Sequence, residues 1–160
     1  MQLFVLDESP TLSARYLADV HVRKMCLETA QILSSVCFNN GIELLSTSYP
    51  KPYNPKHPVI QAIKTQSQIN WVVSYNVQLH YEYYMRFGKI HAYNPLKIGY
   101  MQVLYDRTVA PNCSGLACGF KGFHTNATDI VKAHRDYYRH KKSIIKNWKY
   151  TLRKEPEWLV

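Results

Sequence analysis

Leu17-Ala18-Asp19-Val20-His21-Val22-Arg23-Lys24-Met25-Cys26-Leu27-Glu28-Thr29-Ala30-Gln31 is the stretch from which the fold is read. It carries the period of a helix rather than the alternation of a strand. On a helix, His21, Lys24, Glu28 and Gln31 are spaced 3, 4 and 3 residues apart, which sets all four on one face. Val20, Met25, Leu27, Ile32, Leu33 and Val36 occupy the other faces, and several of them belong to a core.

Outward from this stretch, the helical pattern runs from Thr11 to about Asn39 with a break near Asp19. Asp7 or Ser9 is placed to cap it, Pro10 sits in its first turn, and Gly41 stops it. Leu3 to Leu6 reads as a brief strand or a buried lead-in. Four turn formers, Pro50, Pro52, Asn54 and Pro55, mark Ser46 to His57 as a loop. A long central helix is expected from Pro58 to Phe87, closed by Gly88. Asn94-Pro95 opens another through Leu96, Met101, Val103 and Leu104, and Thr108 to Thr125 is irregular. A basic helix follows from Asp129 to about Lys149, with Tyr137, Ile144, Ile145 and Trp148 facing inward, and Trp158 docks the tail. The reading is an all-α fold, one helical domain over residues 1–160 with an irregular loop near 108–125.

The formal charge of +9 is a statement about partners rather than fold. Phosphate-bearing ligands are its commonest cause, and 13 tyrosines and three tryptophans beside the lysines and arginines suit base stacking. The same aromatics suit an ordinary core with polar rims. No apolar run has the length of a membrane span, and the first residues lack a signal-peptide pattern. A cytoplasmic protein that does not engage membranes is therefore expected. Cys26 and Cys37 lie in helical, apolar segments, while Cys113 and Cys118 sit in a glycine-containing loop near His124 with spacing looser than most zinc sites. No metal or cofactor is expected, and a homo-oligomer is compatible with the sequence.

Three groups carry candidate chemistry. In the quoted stretch, Lys24 suits a phosphate, Glu28 a sugar hydroxyl or acid–base work, His21 a phosphate or a proton, and Gln31 a base edge. The plainer alternative is a solvated face with a Lys24–Glu28 ion pair. Arg86, Lys89 and His91 cluster at the end of the central helix, where basic groups also serve terminal carbonyls. Lys132 to Lys149, with Arg135 and Tyr138, has the texture of a phosphate-binding helix. Trp71 and Tyr138 are the candidate stacking aromatics.

Leu17-Ala18-Asp19-Val20-His21 followed by Glu28 resembles the first helix of the phage pyrimidine-dimer DNA glycosylases. The resemblance implies a small, basic, all-helical protein in which Glu28 is catalytic. It further implies that an N-terminal α-amine attacks the sugar C1′ and gives an imine that leads to strand cleavage. A wider texture, from Asp7 and Pro10 through His57-Pro58, Asn70-Trp71 and Arg86…His91 to Pro156-Glu157-Trp158, resembles a widespread group of phage proteins. It implies a viral origin and, with it, the host cytoplasm.

One departure orders the functional expectations. The family chemistry uses the amine of a small residue freed by removal of Met1, and here residue 2 is Gln2, whose bulk blocks that removal. Reacting atoms must lie within about 3–3.5 Å, so an amine displaced by one residue loses its reach. The leading expectation is thus a phage protein that holds, in a polar pocket, a phosphate-bearing nucleotide such as a cyclic nucleotide or ADP-ribose derivative used as a host immune signal. His21, Lys24, Glu28, Gln31, Trp71, Arg86, Lys89, His91, Arg135 and Tyr138 are its candidate ligands. The alternative is a DNA N-glycosylase/AP lyase with Glu28 as acid/base and Lys24 or the terminal amine as nucleophile. A third is a protein–protein inhibitor of a host factor.

Overall fold

The computed structural model describes residues 1–44, 48–95, 99–117, 119, 120 and 122–160. Among these residues six α-helices follow in order: α1 (Pro10–Arg15), α2 (Asp19–Asn39), α3 (Pro58–Gln61), α4 (Gln66–Phe87), α5 (Tyr100–Leu104) and α6 (Ile130–Ile144). A short 3₁₀ turn, Glu157–Leu159, ends the chain, and among the described residues there is no strand.

Leu3 to Leu6 is the buried lead-in rather than a strand. All four side chains are buried in the core, and side chains supply their backbone partners. The Val5 amide donates to His134 Nδ1 at 3.0 Å and the Leu6 amide to Ser13 Oγ at 2.8 Å, while the Ser13 hydroxyl donates to the Phe4 carbonyl. A buried segment whose backbone groups are met by side chains in this way needs no neighbouring strand.

The break expected near Asp19 separates α1 from α2. The linking turn is held by Arg86, which donates to the carbonyls of Arg15 and Leu17, and by Tyr138, whose hydroxyl accepts from the Ala18 amide. The continuous helix expected from Pro58 to Phe87 is in fact two. Thr65 caps α4 with a complete capping box to Gln68, and Gln68 Oε1 also accepts from the Lys64 amide. These bonds stabilise a helix start, so the chain breaks between α3 and α4. Gly88 closes α4 in the left-handed conformation, φ 62°.

Helices α2 and α4 are the antiparallel spine. Their cross-contacts fix one register: Arg86 with Asp19, the Cys26 thiol with the Leu79 carbonyl, and Asn76 with Thr29. The expected basic helix to Lys149 ends at Ile144, beyond which the chain is extended. Ile144, expected inward, is therefore 58% exposed. Trp158 docks as expected, its ring against Tyr16 and Tyr138. Of the helix expected after Asn94-Pro95, residues 96–98 lie outside the described residues, and α5 begins at Tyr100.

Candidate functional site

Helix α2 presents one accessible stripe, formed by Val20, Arg23, Lys24, Leu27, Glu28 and Gln31, while the flanking positions are buried. Lys24, Glu28 and Gln31 are brought together on it. Glu28 is the best-placed group, with its side chain 15% exposed and Lys24 Nζ 3.4 Å away. Because that lysine is 60% exposed, the ion pair contributes at most about 1 kcal/mol, and the cation is free to turn to a phosphate.

The second partner of Glu28 comes from the chain's start. The backbone nitrogen of Gln2 donates to Glu28 Oε2 at 3.2 Å. This contact spans 26 residues, and it follows from burial of Leu3 to Leu6, which draws Gln2 against α2. The Gln2 side chain donates from Nε2 to the Leu3 carbonyl at 2.9 Å. Gly119 closes the far side. A Cβ there would lie 2.9 Å from Gln2 Oε1, 3.3 Å from Val59 Cγ2 and 3.4 Å from the Met1 carbonyl oxygen. The absence of a side chain is what lets this loop approach the first two residues.

His57 completes the neighbourhood from the N-cap of α3, where its Nδ1 accepts from the Val59 amide at 3.2 Å. Partial burial lowers its pKa below the usual histidine value, and the α-amine at the chain's start lowers it further, against an opposing pull from the Glu28 carboxylate. With Nδ1 used as an acceptor in a neutral ring, the proton sits on Nε2, making His57 a donor rather than a base.

The other sequence-level candidates lie elsewhere. His21 shares a helix with Glu28 but turns into the core, 5% exposed. Its ring packs on Phe4 and Trp148, and its Nδ1 lies 2.9 Å from the Tyr138 hydroxyl. Burial, helped by the charges of Lys141 and Lys24, pushes its pKa down to about 3, so it is a neutral core group. The stacking roles expected of Trp71 and Tyr138 are corrected, since both are fully buried. Trp71 stacks on Tyr75 and donates to the Glu8 carbonyl.

Arg86 is also a core residue. It binds Glu82 at 2.9 Å and Asp19 at 3.2 Å, leaving no face for a ligand. Arg135 is half-buried and occupied by the Leu6 carbonyl and Asp7, with its guanidinium over Trp158. Lys89 is exposed just past α4, and His91 packs edge-on to His80 and Tyr83. Arg23 lies over the Phe87 ring, which places that end of α4 beside the start of α2. The Lys89–His91 segment therefore flanks the far end of the stripe from Glu28.

Gly119 was missed by sequence reasoning, Gln2 was read only as the residue that blocks removal of Met1, and His57 only as part of the wider phage-protein texture. Only His57 gave a local signal, a polar residue before proline at a helix start. Among the described residues, no group of three or more His, Cys, Asp or Glu could hold a metal, and no helix is long and apolar enough to cross a membrane.

Fold and site thus define a small all-helical protein whose buried N-terminal segment delivers a backbone nitrogen to a helix-borne glutamate. The chain belongs to the family described as pyrimidine dimer DNA glycosylase, whose model matches residues 1–93. The match takes in the N-terminal segment, α1 to α4, Glu28 and His57. No curated protein and no solved structure matches the chain.

Proposed function

We propose that this protein cleaves the N-glycosidic bond of a damaged pyrimidine in DNA, with Glu28 acting on the deoxyribose. The observation that carries the reading is the contact between the residue-2 nitrogen and Glu28, in a chain of this family. The family assignment reverses the order of the two leading expectations.

In the proposed reaction the C1′–N bond breaks and the base leaves with the electron pair and a proton. The new bond at C1′ forms either to an amine, giving an imine, or to water activated by Glu28. A peptide nitrogen has no available electron pair for the first route. Removal of Met1 would turn the same atom into an amine already beside Glu28. In this reading Lys24 holds a phosphate and His57 Nε2–H a sugar or phosphate oxygen. The target nucleotide must leave the stack to reach them.

The test incubates purified protein with duplexes carrying a cyclobutane pyrimidine dimer or an abasic site, with and without borohydride. Base release or strand cleavage, lost by roughly 10²–10⁴-fold in Glu28→Gln, is the expected result for an acid–base group. A borohydride-trapped adduct identifies the amine route, and cleavage without an adduct identifies the water route. Wild-type protein that leaves every such duplex intact refutes the proposal.

A further inference from the structure

The loop before α3 carries an aromatic residue that the Glu28 chemistry does not use. Tyr53 is 56% exposed, yet its backbone is among the most firmly held in the loop. Its amide donates to Ser35 Oγ at 3.1 Å, and the same hydroxyl lies 3.4 Å from its carbonyl oxygen. Two residues on, the Pro55 carbonyl accepts from both Asn39 and Gln61, at 3.0 and 2.9 Å. Pro52 and Pro55 fix their own φ angles, and Asn54 takes the left-handed conformation, φ 48°.

The result is a rigid pedestal that ties the loop to α2 and leaves the ring outside. An exposed aromatic on a preordered backbone loses little entropy when it binds. Lys51 and Lys56 flank it, both exposed and in none of the ion pairs among the described residues. Ser35 lies two turns beyond Glu28 on α2, roughly 10 Å along the axis at 1.5 Å per residue. Bases on one strand repeat every ~3.4 Å, so that span is about three nucleotides.

We propose that the Lys51–His57 loop is a DNA-stacking platform. Tyr53 stacks on an unstacked base about three nucleotides from the one at Glu28, and Lys51 and Lys56 hold the flanking phosphates. This rests on the DNA reading of the Glu28 site.

The test uses full-length protein and a fluorescent duplex with an uncleavable tetrahydrofuran abasic analogue. Tyr53→Ala should weaken binding by about 5- to 150-fold, the worth of one stacked base, without changing the melting temperature. Tyr53→Phe and Tyr53→Trp should bind like wild type, because stacking needs the ring face and not the hydroxyl. A 2-aminopurine three nucleotides from the analogue should change its fluorescence on binding wild type and Tyr53→Phe but not on binding Tyr53→Ala. Lys51→Ala and Lys56→Ala should each flatten the slope of log affinity against log salt by about 1. Tyr53→Ala that binds and cuts as wild type does, with Glu28→Gln inactive, overturns the platform and leaves the glycosylase reading standing. Wild-type protein that neither binds nor cuts DNA overturns both.

Discussion

Replacing Arg86 by methionine removes the cation that joins four parts of the core. Its guanidinium binds Glu82 and Asp19 as well as the carbonyls of Arg15 and Leu17. The side chain is 0% exposed, and the two carboxylates 5% and 3%. Methionine fills similar volume but leaves two carbonyls unmet and two buried carboxylates with less compensation. Each carboxylate keeps other partners, Thr151 on Asp19 and Arg153 on Glu82, so neither is stranded alone. Breaking a buried pair by deleting one member costs about 3–5 kcal/mol. At about 2–4 °C per kcal/mol for a domain of this size, melting falls by roughly 6–20 °C. Urea unfolding followed by tryptophan fluorescence measures the loss directly. A stability within about 1 kcal/mol of wild type, together with a loss of DNA binding, would refute the core assignment and return Arg86 to the ligand set.

Acid should weaken the fold well before carboxylates protonate. Burial pushes His21, His80 and His134 down to about 3, from a usual histidine value near 6.5. Between those values the unfolded chain binds protons that the folded chain excludes, so stability is full above about 6.5 and declines as pH falls toward 3. Asp19 adds to the decline at the acid end. Burial raises its carboxyl, but Thr151 and Arg86 outweigh that and hold it below its usual 3.8, so its contribution is lost only below that value. Melting temperature against pH checks both, and a flat profile from pH 7 to 4 would contradict the buried neutral histidines. His57→Asn keeps an acceptor for the Val59 amide at the N-cap but removes the Nε2 donor. It should leave melting unchanged and lower the cleavage rate by about tenfold or more on the scale of one lost transition-state hydrogen bond, whereas wild-type activity would reduce His57 to a helix cap.

Much of the architecture was legible because it is local. The period of residues 17–31, Pro10 in a first turn, Gly88 after Phe87 and the prolines of the 50–58 loop each act within a few residues, and the structure honours them. The failures also have local form. The capping box at Thr65 was concealed inside a run that reads as one helix, and α6 ended before its basic pattern did. Helical spacing placed Lys24, Glu28 and Gln31 on one face correctly, but it counted His21 with them. The boundary between stripe and core depends on what packs against a helix, and Phe4, Tyr138 and Trp148 come from distant parts of the chain.

By itself the sequence determined the helical class, the basic charge, the turn positions and the glutamate that the family resemblance singles out. Tertiary structure alone decided which basic and aromatic residues remain available. Arg86, Trp71 and Tyr138 look like ligand groups in one dimension and are core groups in three, because each also has partners tens of residues away, such as Asp19 for Arg86, Glu8 for Trp71 and Ala18 for Tyr138. The same long-range packing brings Gln2 to Glu28. A buried segment must satisfy its backbone and fill the core, and in doing so it carries the start of the chain to a position that no periodicity encodes.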